Sequence, residues 1–267
     1  MHNKRDELSP EGVSEPESYY FELHAHVGAT KHGGGLKATR ELIELCHIDK
    51  DKYVLDIGCG VGATPCYIAK RHGCRVVGVD ISAKMIEWSN ERAKREGVED
   101  RVEFRVADAQ NLPFEDDLFD VVIGESVTTF LKDKQRAVSE YVRVTKPEGY
   151  VGLNEESWLK TPPPTELVEY ATRTWEINAE IPASEGWLRL LAGSGLRDMV
   201  VRTYKINALR ESSQIMRYRF EDLSRMLYRT LSLHMRSPAF RRYMKERLRT
   251  PKNLFEYLGY GIYVGRE

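Results

Sequence analysis

From Lys52 onward, short apolar runs alternate with segments in which apolar residues recur every three or four positions. YVLDIG (53–58), RVVGVDIS (75–82), VEFRVADA (102–109), DLFDVVIGESV (117–127) and GYVGLNEES (149–157) read as strands. Between them TPCYIAKRHG (64–73), AKMIEWSNERAKREGV (83–98) and DKQRAVSEYVRVTKP (133–147) read as helices. The early strands are unbroken runs of β-branched residues, as strands covered on both faces must be. This alternation is the sequence form of repeated βαβ units. EGWLRLLAGSGLRDMVVRTYKI (185–206) adds a helix ended by Gly193 or Gly195 and a sixth strand, and LGYGIYVGRE (258–267) a seventh. The prediction is an α/β fold: a doubly wound, seven-stranded, mostly parallel sheet with helices on both faces and a helical cap inserted before the last strand.

The remaining segments set the organisation. Residues 1–18 are polar, carry Pro10, Gly12 and Pro16, and read as a flexible tail. Residues 19–51 read as an N-terminal helical lid, in which Leu36, Thr39, Leu42, Ile43 and Cys46 recur at helical spacing. The core comprises 52–208 and 257–267. Residues 157–184, broken at Pro162-Pro163-Pro164, and 209–256 read as helical insertions that cap the substrate side.

Composition narrows the picture modestly. A chain of 267 residues buries a full core without staples. Cys46, Cys59, Cys66 and Cys74 form no CxxC pair, so reduced intracellular thiols are expected. No signal-type segment and no membrane-length apolar run is present, which points to the cytoplasm. The formal charge of -1 names no partner. Between Arg210 and Lys252, however, twelve Lys and Arg face four Asp and Glu, interleaved with apolar residues such as Met216, Leu223, Leu227 and Met235. That pattern fits helices with one apolar and one basic face, either a solvated cap surface or a peripheral contact with an anionic membrane. No nucleic-acid module is present, and none is expected as a partner.

The chemistry gathers at strand ends. Asp56, Gly58, Gly60 and Gly62 sit where a strand passes into a helix, where glycines let a ligand approach backbone N–H groups. With Ala63 and with Asp80 twenty residues past Gly60, this loop also satisfies a dinucleotide fingerprint, so the loop alone leaves NAD open. Asp80 ends the second strand, where a carboxylate accepts from ribose hydroxyls. Asp108-Ala109 ends the third, where an acceptor beside a backbone donor suits the adenine edge. Either aspartate also serves as a helix cap.

VLDIGCGVG, VVGVDIS, ADAQNLPF, FDVVIGESV and VTKPEGYVGLNE, over about residues 52–156, together resemble the class I S-adenosylmethionine-dependent methyltransferases, in particular the small-molecule group that includes quinone and sterol C-methyltransferases. The resemblance implies a Rossmann-like fold and S-adenosyl-L-methionine as cofactor. It implies that Asp56, Gly58 and Gly60 wall the methionine part, Asp80 binds ribose, Ile81 flanks adenine, and Asp108 with Ala109 reads its edge. Glu125 and Ser126 would face the transferring methyl. The chain departs from the family's Lys-Pro-Gly-Gly turn at Glu148.

The expected reaction is in-line methyl transfer to a small molecule, with the protein supplying alignment and water exclusion. Glu125 and His24 are the candidate catalytic groups, and His24, His26 and His32 each also read as surface or structural histidines. His24-x-His26 is poor ligand spacing, so no metal is expected. Tyr19, Tyr20, Thr128, Glu155, Trp158, Trp175 and Tyr263 are candidate substrate contacts. Two further readings stand beside this one: a membrane-surface lipid or quinone methyltransferase, and a catalytically inactive cofactor-binding scaffold. Homodimer formation is compatible with all three.

Overall fold

The computed structural model describes residues 19–28, 31–175, 180–206 and 220–267, with side chains from Leu23 onward. The expected tail over 1–18, the side chains of Tyr19 and Tyr20, and residues 209–219 of the expected cap lie outside the described residues. The strands are β1 (Tyr53–Ile57), β2 (Arg75–Asp80), β3 (Val102–Val106), β4 (Phe119–Glu125), β5 (Thr145–Trp158), β6 (Arg197–Lys205) and β7 (Leu258–Arg266). They form one sheet in the order β3-β2-β1-β4-β5-β7-β6. Neighbours from β3 through β5 are parallel, and β7 runs antiparallel to both β5 and β6. The sheet is therefore mostly parallel and doubly wound, as the run pattern predicts.

Both faces are covered, and strand alternation decides what each face receives. Val54, Val76, Val121 and Ile123 pack with Leu42 and Ile43 of α2 (Gly35–Leu45), with Cys46 that caps it, and with Ile68 of α3 (Ala63–His72). Their immediate neighbours Leu55, Val77 and Val122 point the other way, onto Val138 and Tyr141 of α5 (Lys134–Arg143) and Trp187 and Leu191 of α7 (Ser184–Gly193). All four cysteines are buried and free. Burial pushes the Cys46, Cys59, Cys66 and Cys74 thiols up, which suits inert packing groups.

Local chemistry sets the element ends. Ser82 caps α4 (Ala83–Glu96) by accepting from the Met85 N–H, and Gly97 ends it at φ 67°. The turn Lys146–Gly149 is a bulge in β5, since pairing with β4 jumps from Phe119–Thr145 to Val121–Tyr150. Glu148 takes φ 66° there, the left-handed conformation that a glycine occupies without strain.

The order 3-2-1 followed by 4-5 reverses the winding between β1 and β4. Such a switch point opens a crevice at the carboxyl ends of the strands. Helices close over that crevice: α1 (Tyr19–Val27), α6 (Thr165–Trp175), α8 (Phe220–Arg236), α9 (Pro238–Arg247) and the short α10 (Leu254–Tyr257). Among the described residues no helix is long and apolar enough to cross a membrane.

Candidate active site

At the end of β1 the chain turns through Gly58, Gly60 and Gly62, at φ 65°, 53° and 71°, before α3 begins. A Cβ on Gly58 would overlap the Val127 side chain, and one on Gly62 would lie 2.8 Å from the Ser89 Cβ. Glycine is therefore required here by backbone sign and by space at once. The loop is tied to the next strand by Asp80, whose Oδ2 accepts from the Gly60 N–H at 2.9 Å and whose Oδ1 accepts from the Ser82 N–H at 2.9 Å. Burial pushes the Asp80 carboxyl up to about 6, against these two N–H groups that favour its ionised form. A carboxylate offers about four acceptor positions, so two remain for a ligand.

Asp80, Gly58 and Gly60 line a cavity of about 250 Å³ at the switch point. Ile81 and Met85 form one side, Asp108 and Ala109 another, and Glu125 and Ser126 the end nearest β4. The Asp108 Oδ1 accepts from the Gln110 N–H at 2.8 Å, which holds the turn after β3. The donor set is an apolar slot bounded by three carboxylates, those of Asp80, Asp108 and Glu125, and a glycine cradle. It fits a nucleoside with a short amino-acid extension.

Glu125 is clamped from three elements. Its Oε1 accepts from Thr39 Oγ1 at 2.9 Å and its Oε2 from Thr64 Oγ1 at 2.7 Å, while the Asn154 amide and His32 Nδ1 stand 3.4 and 3.5 Å from Oε1. His24 lies in α1 and lines the cavity from the lid side, and Phe130 and Lys31 complete that wall.

A second cavity of about 320 Å³ adjoins the first, and His24, Lys31 and Phe130 line both. It is bounded by Trp175 of α6, by Phe240 and Tyr243 of α9, and by Glu156 of β5. Its walls are mostly apolar.

Five expected site residues lie elsewhere. Asp56 is buried in β1 and does not line either cavity. Glu155 is fully buried and accepts from the N–H groups of Val127, Thr128 and Thr129 and from the Thr129 hydroxyl, so it fastens the turn Thr128–Phe130 to β5. Burial raises its pKa and those four donors oppose the shift. Thr128 is buried in the same arrangement, its hydroxyl 3.4 Å from that of Tyr141. Tyr263 packs at a tilt against Trp187 of α7 and donates to Ser157. Trp158 packs beneath α6 with Leu167 and Leu258. The reason is shared. A strand end supplies side chains to two faces, and these residues are on the packed one or within a satellite core.

Sequence reasoning passed over Lys31, Met85, Phe130 and Glu156. For Glu156 a signal existed in strand parity: Asn154 pairs with Glu125 across β4 and β5, and Glu156 lies two residues on, whereas Glu155 points oppositely. Among the described residues no group of three or more His, Cys, Asp or Glu side chains is placed to hold a metal ion.

Residues 55–153 match the model of a family described as a methyltransferase domain. An uncharacterised protein of Haemophilus influenzae is 32% identical over 178 residues, which is 66% of this chain and 70% of that protein. Methyltransferase GfsG of Streptomyces halstedii is 34% identical over 119 residues, 45% of this chain. The chain spans only 43% of the length of that enzyme. Among solved structures the [4+2]-cyclase SpnF superposes with a TM-score of 0.71 at 21% identity, covering 92% of each chain. At that identity the likeness is one of fold.

Proposed function

The chain belongs to the class I S-adenosylmethionine-dependent methyltransferases, and from that premise we propose that it carries out in-line methyl transfer to a small molecule held in the second cavity. S-adenosylmethionine is its cofactor, and when bound it supplies a methyl group on a sulfonium. The observation that carries the reading is the wall common to the two cavities, at which His24, Lys31 and Phe130 face donor and acceptor sides together.

In this reading Asp80 binds the ribose hydroxyls, Ile81 and Met85 pack against adenine, and Asp108 with Ala109 meets the adenine edge. Gly58 and Gly60 admit the methionine portion against the backbone. Glu125, held by two threonine hydroxyls, fixes the floor at the end of β4. The cap and lid hold the acceptor's reacting atom on the line of the carbon–sulfur bond and keep water out, which lowers the entropic barrier. His24 stands at the common wall, between the donor and acceptor sides. Calorimetry with S-adenosylmethionine tests the cofactor half, and Asp80→Ala should abolish binding. Incubation with methyl-labelled cofactor and metabolite extracts tests the transfer; no labelled product from any extract would sink it.

A second reading places the enzyme on an anionic lipid surface. It is favoured by α8, where Phe220, Leu227, Tyr228 and Met235 are exposed beside Arg225 and Arg236. Co-sedimentation with phosphatidylserine vesicles decides it, and absence of binding at low salt removes it.

A further inference from the structure

Glu156 is the acidic side chain of the second cavity, and its setting is unusual. Its Oε1 accepts from Ser126 Oγ at 2.9 Å. Its Oε2 has no solvent surface and no hydrogen-bond partner among the described residues. A desolvated carboxylate ordinarily gathers several donors, as Glu125 and Glu155 do in this same fold. Glu156 is short of one. Burial and the charge of Glu155 push its carboxyl up to about 7, with its own backbone N–H, the Ser126 hydroxyl and Lys31 opposing.

Its position relates it to the chemistry. Ser126, its one side-chain donor, lines the cofactor cavity, whereas Glu156 lines the adjoining one. The pair therefore spans the boundary at which an acceptor meets the donor. Ser126 holds φ 55°, and its N–H donates to the Asn154 carbonyl at 2.7 Å. A strained residue held in place at a strand end is a common feature of sites that aim a side chain. The last torsion of a glutamate is broad and nearly two-fold, so either oxygen can turn to the cavity.

We propose that Glu156 is the proton acceptor for the methyl acceptor, and that the acceptor class is a molecule presenting an N–H or O–H nucleophile on an otherwise apolar body. This rests on the methyl-transfer reading above. The nucleophile's lone pair forms the bond to the methyl carbon while the carbon–sulfur bond breaks and leaves its electron pair on sulfur. The N–H or O–H proton passes to a Glu156 oxygen and then to solvent. Once the last torsion has turned an oxygen to the cavity, the acceptor donates beforehand the hydrogen bond that the carboxylate lacks. Charged and titratable groups that line the cavity with Glu156 are Lys31, His24 and His32 from the lid side and Tyr243 and Arg247 of α9, with Glu155 behind it on β5.

The test uses the full chain, methyl-labelled S-adenosylmethionine and a metabolite extract of the source organism. The labelled product is isolated, its methylated atom assigned by NMR, and kcat and KM measured on that acceptor across pH 6 to 9 for the wild type, Glu156→Gln and Glu156→Asp. The methyl group is expected on nitrogen or oxygen. Glu156→Gln is expected to lower kcat by about 100-fold or more, the usual scale for a lost general base, with cofactor affinity unchanged within twofold. It should also erase a rising limb of kcat near neutral pH, which Glu156→Asp restores in part. Methylation at carbon or at a thioether sulfur overturns the proposal, as does turnover by Glu156→Gln within threefold of wild type. A parallel loss of cofactor affinity assigns Glu156 to structure and overturns it too. Should Glu156→Gln not fold, Glu156→Asp must still displace the rising limb, and an unmoved limb counts against the base. No incorporation by the wild type instead fails the methyl-transfer reading and takes this inference with it.

Discussion

Asp80 Oδ2 accepts from the Gly60 N–H at 2.9 Å, so one carboxylate joins the end of β2 to the loop that follows β1. Its pKa stands near 6, raised by burial from the ordinary carboxylate range. The ionised form is the better acceptor for two hydroxyls, so cofactor affinity should rise as pH increases through about 6 and then level. Asp80→Asn should bind weakly and lose this dependence. Calorimetry with S-adenosylmethionine between pH 5 and 8 checks both. Stability of the cofactor-free protein should move oppositely. A folded-state pKa above the unfolded value makes Asp80 favour the fold below about pH 4, and that contribution is lost as pH rises toward 6.

Gly58→Ala should impair both folding and binding. Its φ of 65° costs a residue with a Cβ about 1–2 kcal/mol, and the new methyl overlaps Val127. Adding Val127→Ala should recover the steric part and leave the backbone part. Urea unfolding of the single and double variants separates them; full recovery in the double variant would contradict the backbone argument.

Glu155→Ala should destabilise the protein by about 3 kcal/mol or more, since it orphans the buried N–H groups of Thr128 and Thr129, the part-buried one of Val127 and the Thr129 hydroxyl. Glu156→Ala, one residue on, should cost less stability and more activity. Comparing thermal midpoints with turnover for the two tests whether strand parity has divided a structural carboxylate from a functional one.

Glu148→Gly should be neutral at low salt and mildly stabilising at high salt. Glu148 holds φ 66° while pairing with Arg197 and Arg266 on the surface. Salt screens exposed pairs, which are worth about 0–1 kcal/mol, but leaves backbone strain untouched. Denaturant midpoints at two ionic strengths give the sign.

Arg229→Ala should loosen the lid. The Arg229 guanidinium lies 4.1 Å from the Trp88 ring centre, and the Trp88 Nε1–H donates to the Ala25 carbonyl at 3.0 Å, so α8, α4 and α1 meet at one indole. The expected result is a raised KM and faster proteolysis near residue 28 with an unchanged global unfolding midpoint. The cation–π contact is worth about 0.5–2 kcal/mol, enough for local opening and too little for global unfolding.

The fold was legible because strand runs covered on both faces must be continuously apolar, and helices that cover them must repeat every three or four residues. The glycine loop, Asp80 and Asp108 were legible for a related reason. In a parallel sheet every strand delivers its last residues to the same edge, so sequence order alone brings them together. Thr128, Glu155 and Tyr263 were misplaced because nearness to a strand end does not specify the face. Glu155 and Glu156 are chemically identical in the sequence, and one holds a turn while the other lines a cavity.

By itself, then, the sequence determined the α/β architecture and the strand-end cluster, which follow from local periodicity and from residues a few positions apart, while the cofactor class came from the family resemblance of the motifs taken as a set. Only the tertiary structure decided which carboxylates are clamped and which lacks a donor, and that the lid, α6 and α9 line one cavity beside the strand-end cluster. Those facts depend on side chains drawn together from residues 24 to 247, and on a two-residue parity whose reference face exists only after the sheet has formed.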